Sequence, residues 1–243
     1  DDAGGTNSGK AYIYNTVTGA LLHTLDNPSV NASGGDLFGF SVSISDTYAI
    51  VSAYREYDPA VESGKAYIYD NATGALLHTL DNPTAYGTSE QDYFGYSVSI
   101  SDTYAIVGAY QEDDAGGTNS GKAYIYNTVT GALLHTLDNP NAYNTSLNDY
   151  FGERVAISDT YAIVSAYAED DAGGTNSGKA YIYNNATGAL VHTLDNPNAY
   201  DISDGDLFGR SVAISDTYAI VGAYGEDDAG GTSSGKAYIY NTV

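Results

Sequence analysis

The chain has 243 residues, with 31 acids against 8 bases, a formal charge of −23, and no cysteine, methionine or tryptophan. Without cysteine there is no disulfide framework and no thiolate nucleophile or metal ligand. The acidity excludes a general affinity for nucleic acid or anionic lipid, since both need positive charge on the protein.

No apolar run approaches membrane-spanning length, so no membrane insertion is expected. The 25 tyrosines and a regular Val/Ile alternation oppose the disorder that strong acidity alone would suggest. A folded extracellular or surface-exposed protein is the expectation. With no methionine and no signal-peptide pattern at the start, Asp1 reads as a mature terminus or a cut inside something larger.

From Ser8 onward the chain repeats itself. Ser-Gly-Lys-Ala-Tyr-Ile-Tyr begins at Ser8, Ser63, Ser120, Ser177 and Ser234, the last three intervals being 57 residues. Phe-Gly followed by Val-x-Ile-Ser-Asp-Thr-Tyr-Ala-Ile-Val begins at Phe38, Phe94, Phe151 and Phe208. A fixed period in this range marks arrayed supersecondary units. A residue copied into every unit is then more readily architectural than catalytic.

The unit from Phe94 shows the pattern. Phe94, Tyr96, Val98 and Ile100 alternate with small residues and predict a first strand with one apolar face. Ser101-Asp-Thr103 predicts a short turn. Tyr104–Tyr110, apolar on both faces, predicts a second strand inside a stack of sheets, with Ala105, Gly108 and Ala109 allowing close packing. An acidic loop from Gln111 to Ser120 follows. Lys122–Tyr126 predicts a third strand, Asn127–Gly131 a turn, and Ala132–Leu137 a fourth strand stopped by Asp138-Asn-Pro140. Four short antiparallel strands per unit, without helical periodicity, describe a blade of an all-β propeller. A β-solenoid is the rival, but its rungs are shorter and lack four separate turn signals. The blades are read as 38–83, 94–140, 151–197 and 208–243, the last completed by 9–28.

The Phe-Gly…Val-x-Ile…Ala-Ile-Val-Gly-Ala pattern, the acidic Gly-rich loop and Ser-Gly-Lys-Ala-Tyr-Ile-Tyr resemble FG-GAP repeats, the units of the integrin α-chain propeller and of many bacterial and archaeal surface proteins. The resemblance spans essentially the whole chain. It implies extracellular placement, adhesive or structural roles, and frequent calcium binding in blade loops.

The copies differ mainly in the second-to-third-strand loop and the fourth-to-first connection, which in an up-and-down blade share one end. The position after Phe-Gly is Phe40, Tyr96, Glu153 and Arg210, one of each kind, and Arg55 and Arg154 stand nearby. A glycan or protein ligand would meet this varied face first; drift in exposed loops is the alternative.

Calcium takes six to eight hard oxygens from a flexible loop. The candidate ligands are Asp113, Asp114 and Asn119, then Asp170, Asp171 and Asn176, then Asp227 and Asp228, with Asp201, Asp204 and Asp206 as a second kind. Solvated acidic turns are the alternative, and the Asp-x-Asp-x-Asp-Gly loop of calcium-binding integrin-like blades is missing. Sequons fall at Asn31, Asn71, Asn144 and Asn185, to be used if the source glycosylates secreted proteins and otherwise simply turn residues. His23, His78, His135 and His192 recur in the fourth strands and read as edge-strand residues. No triad, nucleophile elbow or phosphate loop supports catalysis.

The ends of the array share a phase, because Asp1–Val17 recurs almost verbatim as Asp227–Val243. Seventeen strands result, one more than four blades need. Ala11–Tyr14 would compete with Ala237–Tyr240. Three outcomes are open: a slice of a longer chain, head-to-tail self-association by strand insertion, or a loose strand. An unpaired edge invites pairing, so a self-associating structural protein is the leading expectation.

Overall fold

Successive side chains along each strand point to opposite faces of its sheet. The computed structural model describes residues 7–29, 35–56, 63–83, 91–113, 117–140, 147–171, 174–197, 204–229 and 231–242. Within them lie seventeen strands and no helix. A hairpin of β1 (Lys10–Tyr14) and β2 (Leu21–Asp26) comes first. The first full sheet is β3 (Val42–Ile44), β4 (Tyr48–Ala53), β5 (Lys65–Asp70) and β6 (Leu76–Asp81). The second is β7 (Ser97–Ile100), β8 (Tyr104–Ala109), β9 (Lys122–Asn127) and β10 (Leu133–Asp138). The third is β11 (Val155–Ile157), β12 (Tyr161–Ala166), β13 (Lys179–Asn184) and β14 (Leu190–Asp195). Last come β15 (Phe208–Ile214), β16 (Tyr218–Ala223) and β17 (Lys236–Asn241). Each sheet is an antiparallel meander in chain order.

The core lies between sheets. The second strand of each full sheet is buried on both faces as read from sequence: Ile106 points forward onto Val155 and Ile157, and Val107 points back onto the preceding sheet. Small side chains such as Ala105 and Ala109 let the backbones come close. The third-strand tyrosines point back and meet the Phe of Phe-Gly, with Phe94 and Tyr124 ring centres 5.8 Å apart and Phe94 edge-on to Tyr126.

Phe-Gly is a turn in the second and third copies and a lone bridge followed by a turn at Phe38, rather than the start of a strand, and only at Phe208 does a strand begin there. The residue before it is left-handed in all four copies (Leu37, Tyr93, Tyr150, Leu207), and so is the glycine. The reason is a backbone-to-backbone approach. A Cβ on Gly152 would lie 2.2 Å from the carbonyl oxygen of Lys122, and one on Gly121 would lie 2.0 Å from that of Phe151.

The turns also tie one sheet to the next. Ser45 Oγ and Thr47 N–H donate to Asp102 Oδ1 of the following sheet, at 2.6 and 3.0 Å. These bonds, the serine's first, hold the Asp102 carboxyl below its usual range. The histidines are a second tie: a Cβ on Gly74, Gly131 or Gly188 would fall within 2.7 Å of the ring of His23, His78 or His135. His78 Nε2 also donates to Val129 O at 3.0 Å.

Residues 9–28 do not complete the last blade as expected. β1 and β2 pair only with each other, and their Ala11, Ile13 and Leu25 pack on the sheet of β3–β6. Gly9 and Ser8 hold Phe38 in the same way that Ser120 holds Phe151, so the hairpin behaves as the last two strands of a preceding repeat. Among the described residues no strand pairing joins it to β15–β17.

Position in this array decides what a core residue contributes. Ile106 is fully buried, whereas its equivalent Ile220 is 41% exposed. Urea denaturation is expected to show Ile106→Ala losing about 2–5 kcal/mol and Ile220→Ala less than about 1 kcal/mol.

Candidate functional site

The second-to-third-strand loops and the fourth-to-first connections do meet at one end of the array. Asn119 Nδ2 donates to Asn148 Oδ1 at 2.9 Å, and the Asn148 N–H donates to Thr118 O. Beneath them each repeat buries two carboxylates. Glu56, Glu112, Glu169 and Glu226 are 0–1% exposed, and each accepts a hydrogen bond of 2.5–2.6 Å from the hydroxyl of Tyr67, Tyr124, Tyr181 or Tyr238. Asp36, Asp92, Asp149 and Asp206 are also buried. They accept from the side-chain amides of Asn27, Asn82, Asn139 and Asn196 at 2.7–3.0 Å. The Asp-Asn-Pro stop signal therefore has a second use that sequence reading missed. So did the glutamates, which sit in the core rather than in a solvated loop.

Burial pushes the Glu169 carboxyl up to about 7, against the pull of the Tyr181 hydroxyl and the Lys179 ammonium. It pushes Asp92 to about 8, helped by the nearby charge of Glu112. Both are raised, so the native state holds protons that the unfolded chain releases above about pH 4. The contribution of these two groups is full below that range and is lost as pH rises toward 8. The thermal midpoint is expected to be several degrees higher at pH 5 than at pH 8.5, and Glu169→Gln to flatten that slope.

The expected calcium ligands are engaged in holding their own loops. Asp113, Asp170 and Asp227 accept the N–H of Asn119, Asn176 and Ser233 at 2.6–2.8 Å. Asp171 accepts from Gly174 N–H and Asp204 from Thr175 N–H, both at 3.1 Å. Asp206 is buried on Asn196, and Asp228 exchanges backbone bonds with Gly231. Asp114 and Asp201 lie outside the described residues. Among the described residues no three acidic or histidine side chains gather around one point. The sequons change as well. Asn185 is fully buried with its Nδ2 donating to Ser158 O at 2.9 Å, which leaves a glycan no room, and Asn71 is held likewise on Ser45 O. Asn31 and Asn144 lie outside the described residues.

The residues after Phe-Gly, one repeat apart in sequence, line up in space. Phe40 and Tyr96 have ring centres 5.0 Å apart. Tyr96 meets Tyr110 at 4.5 Å, Tyr110 meets Tyr150 at 5.7 Å, and Tyr150 stacks on Tyr167 at 5.8 Å. Three guanidiniums lie over this line: Arg55 5.6 Å from the ring centre of Tyr54, Arg154 5.5 Å from Tyr96, and Arg210 5.0 Å from Tyr167. Glu153 is buried among them, with Arg210 Nη1 at 2.6 Å and Arg154 Nη2 at 3.5 Å. Burial raises the Glu153 carboxyl while Arg154 and Arg210 oppose the rise. Burial also holds the Tyr167 hydroxyl up at about 12, so it stays a neutral donor. Tyr54, Tyr93, Tyr110, Tyr150 and Tyr167 were not singled out from the sequence. Their signal is the Ala-Tyr that closes each second strand, and the tyrosine before Phe-Gly.

Such a line of ring faces, guanidiniums and one carboxylate can stack a flat apolar face and bond its polar rim. Arg210→Ala leaves Glu153 with Arg154 alone and is expected to cost about 1–3 kcal/mol in denaturant titration.

Meander sheets of one repeated sequence, stacked face to face with variation at one end, define a β-propeller-like repeat domain. An FG-GAP repeat matches at residues 29–69, 84–126, 141–183 and 198–240, and the chain belongs to the FG-GAP repeat family. Among curated proteins none matches it.

Proposed function

We propose that this chain is a non-catalytic structural or adhesive module of the cell exterior, made to stack and to self-associate. One observation carries the reading. The junction between successive sheets is the same each time, down to the Phe N–H bond to a serine carbonyl, the glycine beneath the Phe carbonyl and the glycine seat of the histidine. Side chains copied at every repeat serve architecture, and the strongly acidic, cysteine-free composition suits exposure to water and divalent salts outside the cell. The family is typical of surface proteins, which supports the same placement. An antibody raised against the chain is expected to label intact source cells, and external protease to abolish the signal. Labelling only after lysis would overturn the reading.

A second reading is favoured by the line from Phe40 to Arg210. In it the varied end binds a glycan or protein, with calcium at the acidic loops as the accompanying ion. Aromatic and guanidinium faces recognise flat apolar surfaces with polar edges. Titration calorimetry against a glycan panel, with calcium and with chelator, tests it. Tyr96→Ala and Arg154→Ala are each expected to weaken binding about tenfold, a loss near 1.4 kcal/mol. Chelator is expected to lower both affinity and thermal midpoint in this reading alone.

A further inference from the structure

The two ends of the array expose opposite halves of the junction that recurs inside it. Val42 and Ile44 are 60% and 58% exposed, although their equivalents Val98 and Ile100 are each 5% exposed beneath Ile50. At the other end Ile220 and Ile239 are open to solvent, although Ile106 and Ile125 are fully covered. The ties show the same complementarity. Gly19 has nothing within 4 Å, whereas Gly74, Gly131 and Gly188 each seat the histidine of the preceding sheet. His192 is the next histidine in that series.

We propose that a second copy of this chain docks between these faces by strand exchange, with β1 of one copy replacing β17 as the third strand beside β16 of another. The inference rests on the stacking reading above and names its partner and geometry. β1 and β17 both carry Lys-Ala-Tyr-Ile-Tyr. In the register now held by β17, Ile13 comes opposite Ile220 and Lys10 opposite Ala223. Tyr12 then donates to Glu226, as Tyr238 does within one copy at 2.5 Å. The Val42 N–H reaches Ser211 Oγ, as the Val98 N–H reaches Ser41 Oγ at 3.1 Å. Gly19 comes to rest on His192.

β17 is the strand that leaves, because Ala11 and Ile13 of β1 are already buried on the sheet behind them. The exchange replaces the bonds of β17 one for one, and it adds the covering of Val42 and Ile44 by Ile220. Swapping an identical element is a low-cost route to assembly, and a heterologous contact of this kind repeats head to tail.

Sedimentation velocity of the 243-residue chain at rising concentration tests the proposal. A ladder of oligomers is expected, growing into fibres under the electron microscope. Val42→Asp spoils one face and Ile220→Asp the other. Both positions are exposed in the single chain, so circular dichroism melting is expected to show each variant folded. Each variant alone is expected to remain monomeric, and an equimolar mixture to stop at dimers, since one sound junction is left. Wild-type chain that stays monomeric, or a mixture that does, overturns the proposal. The register has its own check. The protein has no cysteine, so mixing Ile13→Cys chains with Ile220→Cys chains under oxidation is expected to give a covalent dimer, and its absence sinks the pairing. A monomeric wild-type chain that still labels intact cells would remove the strand exchange and leave the structural reading standing.

Discussion

The close approach of each Phe-Gly turn to the backbone of the sheet behind it governs the rest of the molecule. Two glycines interlock at every junction, one beneath a lysine carbonyl, where a Cβ would stand 2.2–2.9 Å from the oxygen, and one beneath a phenylalanine carbonyl, where it would stand 1.9–2.2 Å from it. That contact sets the distance between sheets. Once it is set, a Phe ring fits against two tyrosines, an Ile fits between Val and Ile of the next sheet, and a serine hydroxyl reaches the following aspartate. The left-handed residue before Phe-Gly is held by that fit, since such backbone persists only where its surroundings over-determine it.

Much of this was legible from particular residues. The two-sided apolar run Tyr104–Ala109 marked an interior strand, and Leu133–Asp138 is the exposed outer strand that its Pro stop implied. The Ser-Asp-Thr turn was read as local chemistry. The serine does bond locally to Tyr104, but the aspartate serves the neighbouring sheet, and an intrachain pattern carries no sign of a partner 57 residues away. Phe94 looked like the first residue of a strand because alternation cannot tell a strand from the turn that feeds it. Residues 9–28 pack away from β15–β17 for a related reason. Identical strands compete for identical slots, and the hairpin fills the slot nearest in chain, where Ile13 and Leu25 find the sheet of β3–β6.

The site divides along the same line. Phe40, Tyr96, Glu153 and Arg210 could be picked out because they differ where everything else repeats, and they do fall in one row. Their tyrosine partners are copied in most units and so carried no contrast. The buried glutamates were hidden by company: Glu112 precedes two aspartates in an acidic loop, yet it points inward to the Tyr124 hydroxyl while its neighbour Asp113 caps the loop. Charge counts say nothing of direction. Only the aromatic hydroxyl twelve residues on, repeated in phase, distinguishes the interior acid from the solvated ones.

The interlocked glycines carry a consequence for how such a protein changes over generations. A backbone seat with no room for a single methyl cannot absorb an inserted or deleted residue between the Phe-Gly turn and the second strand. Slack exists only at the varied end, and there the two shorter intervals of the series are found, 55 residues between the first Ser-Gly-Lys-Ala motifs and 56 between the first Phe-Gly motifs, against 57 afterwards. Away from that end the chain can lengthen only by whole modules, and unequal crossing-over between near-identical copies would supply them already in phase.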